Sequence, residues 1–196
     1  MGGSSGTVRN TTLSGSGTLV LSGSNQYVDM PTNMLSTLTN ATIEAWITWD
    51  GGGAWQRVFD CGNCSGSAGQ RYLFLTPSAG STAGIRAAYT VSGAANETTV
   101  STSSSLATGG IHHLAVVVND SGNVLALYRD GAQVYTTSFT GALSSITYTE
   151  CWLGRSHFTA DAFFDGTLHE LRIYDAALTG SQLQTSWSAG PDATFF

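Results

Sequence analysis

Hydrophobic and polar positions alternate through most of the chain, and the clearest run is Ala41-Thr-Ile-Glu-Ala-Trp-Ile-Thr-Trp-Asp50. A period of two sets Ile43, Ala45, Ile47 and Trp49 on one face and Thr42, Glu44, Trp46 and Thr48 on the other, as a half-buried strand requires. Both Trp46 and Trp49 lie mid-strand and read as core. Gly51-Gly-Gly53 ends the run. Shorter runs predict strands at Thr18–Leu21, Tyr27–Met30, Gln56–Asp60, Arg71–Pro77, Gly84–Ser92, His112–Asn119, Val124–Arg129 and Ala132–Thr137. The last two flank Asp130-Gly131, a strong hairpin signal. Pro31–Asn40 reads as irregular, and residues 93–110 as a polar loop with one edge strand.

The end of the chain organises the rest. Cys151-Trp-Leu-Gly-Arg-Ser156 reads as a short aromatic strand, and a turn with His157, Phe158 and Asp161 follows it. From Phe164 to Tyr174 the alternation returns, with Leu171 and Ile173 pointing one way and Leu168, Glu170, Arg172 and Tyr174 the other. The chain then enters a short helix, with Thr179 as its cap and Gln182 completing a capping box. Segments Ala41–Asp50, Trp55–Gly62 and Tyr72–Pro77 read as sheet partners of this unit. About twelve strands with turns every ~8–14 residues and one helical tail make a β-sandwich or jelly roll. No period of ~20–50 residues recurs, which excludes a solenoid or propeller.

Composition narrows the partners. A chain of 196 residues fits one large all-β domain. Only 10% of residues are charged, against about 25% in an average domain. All 7 basic residues are arginine, so Gly, Ser and Thr supply the solubility. A net charge of −6 without a basic run excludes nucleic acid as a partner, since phosphate contacts need clustered cations. No apolar run approaches the ~18 residues of a membrane span. The opening Met-Gly-Gly-Ser-Ser-Gly reads as a cut boundary, with a signal peptide or neighbouring domains removed. Residues 1–17 read as a linker or a loosely held edge, 18–189 as the domain and 190–196 as a tail.

Cys61, Cys64 and Cys151 make an odd count. Cys61-Gly-Asn-Cys64 has the spacing of a redox pair or half a zinc site, but no second such pair and no βαβ pattern accompany it. A bridge from Cys151 to Cys61 or to Cys64 is the stronger reading, because those segments can neighbour each other in one sheet. The alternative is three small buried thiols. A bridge implies an oxidising compartment.

In order, "ATIEAWITWD", "WQRVFDCGN", "YLFLTP", "HHLAVVVND…VLALYRDGAQV" and "WLGRS…FFDGTLHELRIYDAALTGSQL" resemble the laminin-G-like modules of the concanavalin A-like lectin/glucanase superfamily. The likeness covers roughly residues 18 to 189. It implies an all-β, two-sheet antiparallel jelly roll with one short C-terminal helix, secreted or at the cell surface. It further implies a non-catalytic binding module for a polysaccharide, appended to a glycoside hydrolase or surface protein. In the resembling fold a calcium ion often ties an early loop to the last strand, which carries over to the Gly23 and Ser24 carbonyls with the Asp165 or Glu170 side chain. The competing class is a structural or adhesion domain that binds protein or acts as a spacer and binds nothing, with a glycan hydrolase or lyase the weaker alternative. Cys61 departs from the pattern, standing where such modules often carry an aromatic, and loop 93–110 matches no motif.

The residues themselves speak against catalysis. Retaining glucanases need two carboxylates about 5 Å apart, and the family's Glu-x-Asp-x-x-Glu run does not occur. His112-His113 lacks the Gln of the lyase relatives. His169-Glu170 is not a zinc helix, because no histidine follows at the required spacing. A sugar binder needs flat aromatic surface and a few fixed polar groups, since sugars offer C–H faces ringed by hydroxyls. Near turns, Trp55, Tyr72, Trp152, His157 and Phe158 are the aromatic candidates, and Gln56, Arg57, Arg71, Arg155 and Asp161 the polar ones. Arg57 and Arg155 also read as loop braces paired to Asp60 or Asp161, and Glu170 as a partner of Arg172.

Overall fold

The computed structural model describes residues 6–12, 15, 17–81, 84–147 and 150–191. In chain order its strands are β1 (Thr7–Arg9), β2 (Leu19–Ser22), β3 (Tyr27–Met30), β4 (Asn40–Trp49), β5 (Phe59–Ser65), β6 (Ala68–Thr76) and β7 (Arg86–Thr90). They continue with β8 (Thr98–Ser101), β9 (Ile111–Asn119), β10 (Val124–Arg129), β11 (Ala132–Ser138), β12 (Glu150–Leu153) and β13 (Asp165–Tyr174), and a helix α1 (Gly180–Ala189) follows. The strands pair antiparallel in two sheets, β1-β3-β12-β5-β6-β7-β8 and β11-β10-β9-β4-β13-β2. The two sheets face each other as a jelly-roll sandwich.

Period-two patterning accounts for the core. Ile43, Ala45, Ile47 and Trp49 of β4 meet Leu114, Val116 and Val118 of β9 and Leu125 and Leu127 of β10 on the inner face of the six-stranded sheet. Opposite them lie Phe59 and Cys61 of β5, Leu73 and Leu75 of β6, Ala87 and Tyr89 of β7, and Cys151 and Leu153 of β12. Fully burying one such side chain contributes about 1.5–3 kcal/mol. A one-residue slip would turn each strand inside out, so the pattern also fixes the register. Asp130 and Gly131, at φ 50° and 75°, make the β10–β11 turn with both central residues left-handed, as its tightness demands.

The outer face of the six-stranded sheet is closed by α1. Leu183 packs on Ala115, Val117, Ala126 and Tyr128. Thr179 and Gln182 form the expected capping box. Beneath the helix, the buried Glu44 carboxylate accepts from Ser186 Oγ at 2.7 Å, Tyr174 OH at 2.8 Å, His113 Nε2 at 3.0 Å and Arg172 Nη1 at 3.4 Å. Burial opposes ionisation there, but the hydrogen bonds from His113, Ser186 and Tyr174 outweigh it and hold Glu44 below its ordinary pKa. Trp46 shares this face under Arg172, so the two tryptophans of β4 are both buried but on opposite sides of the sheet.

Three expectations are corrected. Leu168 was assigned outward with Glu170, yet it sits in the core with Leu171 and Ile173 packed beside it. A bulge between Leu168 and Glu170 inserts one residue and shifts the alternation. Gly166 precedes that bulge at φ 149°, where a Cβ would meet the Thr48 carbonyl oxygen at 2.1 Å. Tyr72–Pro77 does not pair with the terminal unit, because β6 lies between β5 and β7, while β12 pairs with β3 and β5 and β13 with β2 and β4. The β5–β6 ladder runs on through Ser65 and Ala68, past the polar residues that ended both predicted strands. Within the N-terminal stretch, Thr7–Arg9 pairs with β3 at the edge of the seven-stranded sheet.

Candidate functional site

Across the seven-stranded sheet, Asp29, Trp152, Asp60, Phe74, Ala88 and Thr99 stand in register on neighbouring strands, on the face turned away from the core. Among the described residues no α-helix covers this face. Two irregular segments cross it instead: Trp55–Val58, which leads into β5, and residues 154–164 between β12 and β13. The strand predicted from Gln56 starts only at Phe59, and that delay frees Trp55 and Arg57 to fold over the sheet.

Arg57 is the hub, though its side chain is almost wholly buried. Its Nε donates to Asp60 at 3.2 Å, its Nη2 lies 2.9 Å from Asp161, and its Nη1 donates to the Trp55 carbonyl at 2.6 Å. The guanidinium rests 4.0 Å above the Phe74 ring, a cation–π contact in a dry setting. Asp60 also accepts from His157 Nδ1 at 2.9 Å and from the His157 backbone N–H at 3.1 Å, which ties the 154–164 segment to β5. Burial pushes the Asp161 carboxyl up from its ordinary value, and the neighbouring Arg57 opposes that rise. Ser156 Oγ donates to Asp161 and accepts from the Phe158 N–H.

Beside this hub is a cavity of 260 Å³ lined by Trp55, Arg57, Phe74, Arg86, Ala94, Glu97, Phe158 and Asp161. Trp55 and Phe158 are half-buried and pack on the cluster of Tyr72, Phe74 and Ala88. Trp55 holds a left-handed backbone at φ 66°. A bulky residue there stores strain of order 1–3 kcal/mol, the kind that clusters at ligand sites. Glu97 accepts from Tyr72 OH at 2.7 Å and faces Arg86 at 3.6 Å. Burial, and then the Glu97 hydrogen bond, push the Tyr72 hydroxyl far above its ordinary pKa.

Of the ten expected ligand residues, Trp55, Arg57, Phe158 and Asp161 line this cavity together. Tyr72 lies beneath it, fully buried. Gln56 turns away: its side chain accepts from Trp49 Nε1 and donates to the Gly51 carbonyl, bracing the end of β4. Arg71 points elsewhere and reaches Ser145 and Thr147. Trp152, His157 and Arg155 form an adjoining stack, with Trp152 on His157 at 4.4 Å and Arg155 over Trp152 at 4.0 Å. Arg155 also lines a smaller recess of 100 Å³ that shares Phe158 and Asp161 with the cavity.

Phe74, Arg86, Ala94 and Glu97 were missed. Phe74 was legible, since it follows Tyr72 by two in a strand and so shares its face. Arg86 and Glu97 were not, because only the β6–β7–β8 pairing carries them there.

The four expected calcium ligands are divided. Gly23 lies against the Asp165 side chain, close enough that a Cβ on it would come within 3.2 Å of the carboxylate, and its N–H donates to the Phe164 carbonyl. Ser24 follows in the same exposed turn. Glu170 stands five residues further along β13, about 17 Å away at strand spacing, and Arg172 holds it at 2.7 and 2.9 Å. Among the described residues no three His, Cys, Asp or Glu side chains gather as a metal cluster. Cys61 and Cys151, in register on β5 and β12, are joined as a disulfide, and Cys64 is exposed and free.

Fold and site together define a two-sheet jelly roll with a cavity on the outer face of one sheet. The chain belongs to the concanavalin A-like lectin/glucanases superfamily, whose laminin-G model matches residues 22–184. No curated protein matches the chain. Among solved structures it is similar to the CBM40 module of the Ruminococcus gnavus IT-sialidase bound to α2,3-sialyllactose, with TM-score 0.74 at 16% identity over 86% of this chain and 95% of that one. It is also similar to domain 4 of AbnA, a GH43 extracellular arabinanase from Geobacillus stearothermophilus in complex with arabinotriose. That match has TM-score 0.68 at 24% identity and covers 85% of this chain and 74% of that one. At these identities the likeness is one of fold.

Proposed function

We propose that this chain is a non-catalytic carbohydrate-binding module that recognises a polysaccharide through the cavity beside Arg57. The carrying observation is the pairing of two half-exposed aromatic walls, Trp55 and Phe158, with the convergent polar groups of Arg86, Glu97 and Asp161. Rings take the C–H faces of a sugar and the polar groups take its hydroxyls. The left-handed backbone of Trp55 supports the same reading, since strained positions of this kind cluster at ligand sites. Solved neighbours of the same fold bind sialyllactose and arabinotriose.

The carboxylates argue for binding rather than hydrolysis. Asp60 is fully buried with both oxygens occupied, and Asp161 and Glu97 are each engaged by an arginine. A general acid or base must reach the substrate with a proton to move. The disulfide between Cys61 and Cys151 supports secretion or display at the cell surface. Among the described residues no helix is long and apolar enough to cross a membrane. The reading includes attachment to a larger protein, and a calcium ion held by the Gly23–Ser24 turn and Asp165, where carbonyl and carboxylate oxygens supply the hard ligands this cation takes.

The test is retention on immobilised plant, algal and microbial polysaccharides in calcium buffer, with an EDTA control. Retention on one class is expected, together with a change in tryptophan fluorescence. Phe158→Ala and Trp55→Ala should each weaken it at least about tenfold, the loss expected of a central aromatic anchor, with the fold intact by circular dichroism. If the folded protein is retained by nothing on a broad panel, the reading fails, and a structural or protein-binding role takes its place. Loss on EDTA places calcium at or beneath the site; full retention with EDTA removes it from the account.

A further inference from the structure

The geometry points to a neutral saccharide as the ligand of the 260 Å³ cavity, with acidic sugars disfavoured, an inference that rests on the carbohydrate-binding reading above. Every charge in the wall is answered from within the wall. Arg57 is held between Asp60 and Asp161, and Arg86 faces Glu97. Two guanidiniums and two carboxylates line the space, and the carboxylate of Asp60 lies directly behind Arg57. An incoming sugar carboxylate therefore meets no uncompensated cation. A sugar carboxylate brought to Arg86 stands beside the Glu97 carboxylate already paired there, and two like charges in a partly buried setting disfavour each other.

What internal pairing leaves unused suits hydroxyls. Asp161 spends Oδ2 on both Ser156 and Arg57, so Oδ1 remains an acceptor. Arg86 spends Nε on Ser101 and Nη1 on Glu97, so Nη2 remains a donor. A hydroxyl both donates and accepts, and two neighbouring hydroxyls on a sugar satisfy such a mixed set at once; a carboxylate only accepts. The walls beside these atoms are the rings of Trp55 and Phe158, with Phe74 beneath. The volume lies just under the ~300 Å³ at which drug-sized sites begin, so the cavity takes a terminal sugar or a short stretch of chain. Arg155 is the one arginine near the site with no carboxylate within ion-pair distance among the described residues. It stands outside this wall, over the rings of Trp152 and Tyr27.

Isothermal titration of the whole chain with neutral trisaccharides (arabinotriose, cellotriose, mannotriose) and acidic ones (sialyllactose, trigalacturonate) tests the inference. The best neutral ligand should bind at least about tenfold more tightly than either acid, a difference of about 1.4 kcal/mol. Glu97→Gln keeps an acceptor for Tyr72 but frees Arg86, and should narrow that ratio by raising affinity for the acids; Asp161→Asn should narrow it in the same direction. Acidic ligands that bind as well as neutral ones overturn the inference, implicate Arg155 and leave the carbohydrate-binding reading standing. A ratio unmoved by both substitutions also overturns it. Binding of none of the five by folded protein, with no retention on polysaccharide either, overturns the reading and the inference together.

Discussion

Arg57 shows how a single residue builds a site it barely exposes. One guanidinium fastens Asp60 on β5 to Asp161 in the crossing segment while lying on Phe74. Arg57→Met keeps the length and apolar stem but strands two carboxylates in a buried setting, which costs about 3–5 kcal/mol. Urea unfolding should show that loss, and sugar binding should fall with it. Arg57→Lys should rescue little, because an ammonium cannot fork between two carboxylates while stacking on a ring.

Glu44 makes a prediction of opposite character, on the face covered by α1. Its folded pKa lies below the unfolded value, so its hydrogen bonds stabilise the protein above the unfolded carboxylate range near pH 4.5. That contribution is lost as pH falls through the folded pKa. Thermal melts of wild type should therefore drop steeply in acid, and Glu44→Gln should be less stable at neutral pH with a flatter acid limb. An acid limb unchanged in Glu44→Gln would mean that other carboxylates carry it. Asp161 contributes with the reverse sign: its folded pKa is raised, so protonating it in acid relieves the cost of burying its charge.

Among the elements, β5 and β12 are held by more than their ladder. The Cys61–Cys151 disulfide closes a separation of 90 residues, and restricting the unfolded chain over that length is worth about 4.6 kcal/mol in the chain-entropy account, less any strain. These strands also carry Asp60 and Trp152, so the bond secures the floor of the site. The double variant Cys61→Ala/Cys151→Ala should lose about 2–4 kcal/mol by chemical denaturation, whereas Cys64→Ser should change stability by less than about 0.5 kcal/mol, as exposed positions do. Equal effects from the two variants would contradict the pairing.

At this same scale the sequence was legible where local pattern ruled. The alternation of β4, the Asp-Gly hairpin and the Thr179 capping box needed nothing beyond neighbouring residues. It misled at Leu168, where a bulge before Glu170 breaks the alternation, and at Gln56–Val58, where a run that reads as strand leaves the ladder to carry residues of the cavity.

As a whole molecule the chain carries a net charge of −6 with seven arginines, most of them committed. Arg9, Arg57, Arg86, Arg129 and Arg172 all lie within ion-pair distance of a carboxylate. Little basic surface is left for a polyanion. The protein should show no retention on heparin or DNA at physiological salt, and tight, salt-sensitive binding to either would contradict this charge map.

Sequence by itself determined the fold class and the layout of the core, because alternation with period two is a local property that one sheet face must satisfy. It also singled out Trp55, Arg57, Phe158 and Asp161, four residues that line the cavity, since aromatic and planar polar groups beside turns are recognisable one by one. Only the tertiary structure decided which of the ten candidates share a cavity. Strands distant in the chain become neighbours through a ladder whose order no local pattern encodes, and that order sets Arg86 and Glu97 beside Phe158 while turning Gln56 and Arg71 away. The site is a property of the strand order, and the strand order is a property of the packed sandwich.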